Sequence, residues 1–347
     1  MKKLFFLCLI ALIWWFGFAH KDEIPVALSK RAFDSALGIR TLGRRFVLHR
    51  KCDRVLYKTA RKCIDHRLQA WKSHEKSNIP KVIHQIWPFN EPIPDALARA
   101  AMTTKTHHGD FVYTLWTPSM FEESLSSLVG AVWKELSPQV IRDLAAATIL
   151  WQHGGIVVDL ETECVQTLAP LLELGNCIIG FEPPLERRSY QRRLVLSPSL
   201  IAAEAMHPLI QSWLTEMVGR IQKGTKQQRN HLWICQDSLS AVASQQKVDN
   251  ILFVSPTYFC PIAPNHIHSF TQNLDGIKKS PLLRRILQAL YIVDAPPFSQ
   301  ISRETCGVHM SGGRESKHSL LATEQNVNSI ENHAVKNVIV QKRKEDI

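Results

Sequence analysis

The chain has no Cys-x-x-Cys pair, no G-x-x-x-x-G-K-[ST] loop, no G-x-S-x-G elbow, no internal repeat and no long low-complexity tract. These absences argue against a zinc ribbon or thioredoxin-like centre, against a P-loop enzyme that cradles phosphate on glycine amides, and against an elbow-type hydrolase. Net charge is also missing where most of the chain lies. From Ile79 to Ile347, twenty-five basic residues face twenty-five acidic ones, whereas His20 to Asn78 holds fifteen against six. The formal charge of +11 and the pI of 9.3 therefore describe the first quarter of the chain. The main region has no net electrostatic pull toward nucleic acid, and no nucleic-acid partner is expected.

At 347 residues the chain can bury the core of one large α/β domain with appendages, or of two ordinary domains. Lys2 and Lys3 precede an uninterrupted apolar run from Leu4 to Ala19, which reads as a signal peptide or membrane anchor over 1–19. Small residues at Gly17 and Ala19 suit cleavage. Trp14, Trp15 and the basic stretch that follows suit a retained anchor, although the run is short for a span. The expectation is an anchor with the bulk of the chain exported, in a bacterial envelope or Golgi-like lumen, or a secreted protein if the segment is cut. Residues 20–78 read as a basic helical stem, lying against anionic headgroups or packed on the main domain. Residues 79–314 form the main domain, and 315–347 a polar tail. Cysteines are scattered, and sequence alone pairs none of them.

Within the main domain, Lys81 to Trp87 and Phe111 to Trp116 read as strands, with a helix from about Asp95 to Thr106 between them. A further helix runs from Pro138 to His153 and ends at Gly154-Gly155. Strand alternating with helix predicts a largely parallel, doubly wound sheet with its ligand site at the carboxyl ends of the strands. After the glycine pair come a short apolar strand and three carboxylates on alternate residues, Asp159, Glu161 and Glu163. If the strand persists, all three look the same way. Such a row suits a hard divalent cation, which prefers oxygen ligands and, when bound to a diphosphate, takes one or two from the protein.

Two blocks together, IPKVIHQIW at Ile79 to Trp87 and DLAAATILWQHGGIVVDLE at Asp143 to Glu161, resemble glycosyltransferase family 32, the "DXD sugar-binding" transferases. That family includes Golgi mannosyl- and hexosaminyltransferases and is similar to the glucosylating domain of large clostridial toxins. The resemblance implies an α/β fold of the GT-A, Rossmann-like, nucleotide-sugar-binding type. It also implies a UDP- or GDP-sugar donor, a Mn²⁺ or Mg²⁺ cofactor, and transfer of a hexose or hexosamine with retention to a glycan, lipid-linked or protein acceptor. Asp159 and Glu161 match the D-x-D positions as a D-x-E version, Asp143 matches an aspartate facing the donor sugar, and Trp87 a position near the base. His84 and Gln85 belong to the first block and are candidate donor contacts. His309 resembles a late histidine that completes the metal or diphosphate site. The family pattern has arginine where this chain has Ala146; Arg142 is adjacent to Asp143 but on a helix is expected to point elsewhere. Gln236-Asp237-Ser238 replaces a Gly-Pro turn, and no tryptophan follows His309. Two other readings stay open on these residues: a relative that binds a nucleotide sugar or a partner without turnover, and a basic membrane-surface protein.

Overall fold

The computed structural model of the chain describes residues 24–37, 39, 48, 50–183, 194–224, 231–245, 250–259 and 306–309. The apolar segment 1–19, Arg187, Arg188, Arg192 and Arg193, and the tail 315–347 lie outside the described residues. Among the described residues no helix is long and apolar enough to cross a membrane.

A six-stranded sheet in the order β2-β1-β3-β6-β5-β7 carries the domain. Its members are β1 (Val82–Ile86), β2 (Val112–Trp116), β3 (Gly155–Val158), β5 (Cys177–Phe181), β6 (Leu196–Ala203) and β7 (Ile251–Val254). A second, two-stranded sheet pairs β4 (Thr162–Cys164) with β8 (Gly307–His309) in antiparallel fashion. The helices in chain order are α1 (Lys30–Ala36), α2 (Lys51–Lys72), α3 (Asp95–His107), α4 (Pro118–Val129), α5 (Pro138–His153), α6 (Ala169–Leu172), α7 (Pro208–Lys223), α8 (Ser238–Gln245) and α9 (Pro256–Phe259). Proline stands at the first turn of α4, α5 and α7, where its missing N–H costs nothing and its φ is already helical.

The sheet is mixed rather than largely parallel. β1 runs parallel to β2 and β3, and β5 parallel to β7, but β6 lies antiparallel to both β3 and β5. The sequence is silent on this direction because every residue of β6 is buried. A strand covered on both faces has no alternation to read, and its composition is the same in either sense.

Alternate strand side chains feed two cores. Val157 joins one cluster with α2, α4, α5, α7 and α8; Ile156 and Val158 join the other, with α6 and α9. The segment read as a stem contributes directly to this packing. Along α2, Leu56, Ala60, Cys63 and Ile64 fall at helical spacing and are fully buried in the larger cluster, while Lys51, Arg54, Lys58 and Lys62 stay exposed. Arg67 is buried on the same helix, and its Nε donates to the Leu174 carbonyl at 2.7 Å. Residues 51–72 are thus a wall of the domain with a solvated basic face.

Two buried histidines tie elements together in their neutral form. The His84 ring accepts a hydrogen bond at Nδ1 from the Trp116 indole at 3.1 Å, which leaves Nε2–H to donate to the Gly154 carbonyl at 3.0 Å. His207 caps α7 by accepting from the Leu209 amide at 3.2 Å. Burial lowers both pKa values to about 4. The unfolded chain takes up these protons below about pH 6.5 while the folded protein does not, so stability is complete above that pH and falls as pH drops toward 4. Each histidine should contribute on the order of 3 kcal/mol to the loss. Thermal unfolding between pH 7.5 and 4.5 checks this. His207→Asn keeps a capping oxygen without a titrating ring, and a wild-type slope in that variant would remove His207 from the account.

Candidate active site

The geometry of the second sequence block follows from two repeat lengths. From Asp143 to His153 helix α5 descends ten residues, about 15 Å at the helical rise. Gly154 and Gly155, at φ 64° and 96°, turn the chain back into β3. No other residue suits the second position: a Cβ on Gly155 would lie 2.7 Å from the Val82 carbonyl oxygen and 2.9 Å from His84 Nε2. Four residues of extended chain then climb about 13 Å to Asp159. The helix rises half as fast per residue as the strand, so Asp143 and Asp159 return to the same level at the carboxyl ends of β1 and β3.

There they share one guanidinium. Arg142 Nε donates to Asp143 Oδ1 at 2.7 Å, Nη2 donates to the same oxygen, and Nη1 donates to Asp159 Oδ2. This corrects the expectation that Arg142 points elsewhere. Adjacent helical residues diverge by about 100° at Cβ, but the arginine stem is long enough to fold back over the first turns of α5 to both acids. Arg142, Asp143 and Asp159 are all more than nine-tenths buried. Burial alone would raise the pKa of Asp143, yet the charges of Arg142 and His231 hold its carboxyl well below the usual carboxylate range. It is therefore a buried anion, which costs a great deal unless paired, and Arg142 is its compensation.

His231 completes the other side of Asp143, with Nε2 at 2.8 Å from Oδ2. It stands just before a wide helical turn, Leu232–Asp237. Cys235 on that turn is fully buried, and burial together with the Asp143 charge pushes its thiol far above the ordinary value, so the sulfur stays protonated. Asp143, His231 and Cys235 offer ligand atoms within 4.8 Å of one another. As a metal set they are poorly arranged, because one oxygen of Asp143 is already bound to a guanidinium and the other faces the imidazole. Neither His231 nor Cys235 was signalled by the sequence. Both reach Asp143 from a segment almost ninety residues downstream, and only a spatial contact reveals them.

The row of three acids is broken. Strand β3 stops at Val158, and the Thr162 amide bonds back to the Asp159 carbonyl at 2.9 Å in a tight turn. Asp159 lies at the strand end, with the Glu161 amide 3.4 Å from its Oδ1. Glu161 is half-buried beside it, whereas Glu163 lies buried in β4 opposite Val308 of β8. The reversal redirects alternate residues, so the strand period no longer applies. The hard carboxylate oxygens of Asp159 and Glu161, at the rim of the sheet, fit a Mg²⁺ or Mn²⁺ ion in donor type. The backbone of His309 pairs with Thr162, one residue beyond Glu161; its side chain lies outside the described part of the structure.

Trp87 follows β1 at the same rim. Its indole N–H donates to the Glu91 carbonyl at 2.6 Å, and its ring lies 4.7 Å from that of Phe89, which is exposed. The Pro-rich loop thus holds a pair of aromatic faces at the carboxyl end of the strand. The first-block neighbours behave differently. His84 is spent on Gly154 and Trp116, as above, and serves the joint between β1 and α5 rather than offering a free nitrogen. Gln85 is fully buried, with Oε1 accepting from Tyr113 Oη at 2.6 Å and its amide nitrogen without a partner among the described residues. Burial raises the Tyr113 phenol to about 12, which keeps it a donor. Of the substitutions in the family pattern, Ala146 is a buried residue of α5, while Gln236 donates to Glu182 Oε1 at 2.6 Å and Asp237 holds Arg220 at 2.9 Å.

The chain is similar to yeast mannosyltransferases. Inositol phosphoceramide mannosyltransferase 3 of Schizosaccharomyces pombe is 35% identical over 125 residues, which cover 31% of this chain and 35% of that protein. A mannosyl phosphorylinositol ceramide synthase of Saccharomyces cerevisiae is 30% identical over 100 residues, covering 28% of this chain and 26% of its own length. The matched segment thus spans about a third of the length of these relatives or less. No family model matches the chain. Among solved structures, the PaToxG glycosyltransferase aligns over 72% of this chain and 95% of its own, at 18% identity and a TM-score of 0.38. The family 32 resemblance read from the two sequence blocks is borne out by the mannosyltransferase relatives.

Proposed function

We propose that the chain is a glycosyltransferase that moves a sugar, mannose in the first instance, from a nucleoside diphosphate to a lipid-borne acceptor with retention at the anomeric carbon. The observation that carries this reading is the buried Asp143–Arg142–Asp159 cluster at the carboxyl ends of β1 and β3, with Trp87 on the same rim. Charged groups of both signs meet there at the ends of the strands, the position at which α/β sheets bind their ligands. The relatives named as mannosyltransferases acting on inositol phosphoceramide support the sugar and the acceptor class.

In this reading Asp159 and Glu161 hold the divalent cation, which would neutralise the charge growing on the diphosphate leaving group. Asp143, kept ionised by Arg142 and His231, accepts hydrogen bonds from donor-sugar hydroxyls and fixes the sugar's orientation. Trp87 and Phe89 flank the nucleobase. The apolar segment at residues 1–19 and the exposed basic face of α2 hold the domain near a membrane surface, where a lipid acceptor is presented.

Incubation with GDP-mannose and a panel of UDP-sugars, with and without Mn²⁺ and with inositol phosphoceramide in mixed micelles, tests the reading. Metal-dependent sugar transfer or donor hydrolysis is expected. Nucleotide binding with no turnover on any donor would instead favour a relative that binds without reacting. Trp87→Ala should raise the donor KM by about 5- to 150-fold, the equivalent of about 1 to 3 kcal/mol of base stacking, with kcat little changed. An unaltered KM would move the base-binding site away from Trp87.

A further inference from the structure

We propose that Arg142 is a positioning cation that keeps the Asp143–Asp159 pair closed to a divalent metal until a nucleoside diphosphate arrives, so that metal and donor enter as one unit. The inference rests on the transferase reading above and adds an order of binding to it.

The argument is one of charge in a confined space. Asp143 and Asp159 contribute two negative charges, and Arg142 donates to both. His231 adds an imidazole on the far side of Asp143, and the Cys235 thiol is kept protonated by burial. Glu161 stands in the turn after Asp159, its backbone amide 3.4 Å from Asp159 Oδ1. A divalent ion approaching Asp159 therefore meets a carboxylate whose Oδ2 is bound by a guanidinium. Two cations on one carboxylate repel strongly where water is scarce, because the effective dielectric is far below that of bulk solvent. A diphosphate brings two or more negative charges into the same space and reverses the balance. The guanidinium then faces phosphate oxygen as well as carboxylate, a geometry its forked donors suit, and Asp159 is left to the metal. Arginine performs this task well because it does not lose its proton in the physiological range.

The test measures Mn²⁺ binding to the full chain by electron paramagnetic resonance, without and with GDP or UDP, correcting for the metal–nucleotide complex in solution. Donor-free wild type should bind Mn²⁺ weakly. Arg142→Met should bind Mn²⁺ about tenfold more tightly without nucleotide, while losing most of the strengthening that nucleotide confers. Arg142→Lys, which keeps the charge, should resemble wild type. A gain of metal affinity is not what a merely misfolded variant shows. Equal or weaker donor-free Mn²⁺ binding in Arg142→Met overturns the proposal, as does an equal gain in Arg142→Lys. If Arg142→Met does not fold, Arg142→Gln, neutral but still able to donate to Asp143, takes its place in the same comparison; donor-free Mn²⁺ binding no tighter than wild type overturns the proposal, as does wild-type Mn²⁺ binding that is indifferent to nucleotide. Failure of either nucleotide to bind under any condition would sink the transferase reading instead, and leaves the donor-free comparison of the variants to decide the role of Arg142.

Discussion

Asp159→Asn is expected to lower kcat/KM for sugar transfer roughly a thousandfold, the scale on which removal of one preorganised electrostatic group acts in an active site. The substitution preserves shape, so most of the loss should appear in kcat, where charge has developed on the leaving diphosphate. It also leaves Arg142 with Asp143 as its remaining partner in the cluster, and nucleotide should still bind, held by Trp87 and the guanidinium. Steady-state transfer or donor hydrolysis, together with nucleotide affinity, separates these effects. Activity within about threefold of wild type in Asp159→Asn would remove this carboxylate from the chemistry.

Asp143→Ala should be the most destabilising change in the site. It strips Arg142 of the carboxylate that accepts both its Nε and Nη2 hydrogens, takes the partner from His231, and leaves a guanidinium more than nine-tenths buried. Breaking a buried pair by deleting one member costs about 3 to 5 kcal/mol. For a domain of this size that corresponds to a fall in Tm of roughly 10 °C. The double variant Asp143→Leu with Arg142→Met removes both charges and should recover much of that stability without recovering activity. Thermal unfolding of Asp143→Leu, of Arg142→Met and of the double variant reads out the coupling directly. Additive losses in the double variant would mean that the two side chains do not stabilise one another.

Much of the scaffold was legible from periodicity and punctuation. The strands at Val82–Ile86 and Val112–Trp116, and the Pro138–His153 helix with its glycine stop, lie where the sequence places them. The helix is bounded by residues whose backbone chemistry is distinctive: Pro138 at its start and Gly154, where φ turns positive, at its end. Harder to read were features that depend on what lies across space. Glu163 looked like a member of the acidic row because a strand was extended through Asp159; the Asp159–Thr162 turn, a single hydrogen bond, ended it. His84 read as a donor contact because it belongs to a motif, but its two nitrogens are taken by a helix end and a neighbouring strand. The basic segment left two placements open, against headgroups or packed on the main domain, and only tertiary contact shows one face of α2 buried in the core.

The sequence by itself determined that Asp143 and Asp159 come level at one end of the α5–β3 unit. Sixteen residues divided between a helix and a strand, with two glycines at the corner, bring their ends level whatever surrounds them, because rise per residue is a property of the backbone. Tertiary structure alone decided what charge they meet with. Arg142 lies next to Asp143 in the chain, yet its reach to Asp159 depends on how α5 packs on the sheet, and His231 and Cys235 arrive from a distant turn. The antiparallel course of β6 belongs to the same class, since burial on both faces erases the pattern that would reveal direction. Backbone geometry is local and can be counted along the chain, whereas side-chain reach and long-range packing exist only once the chain has folded.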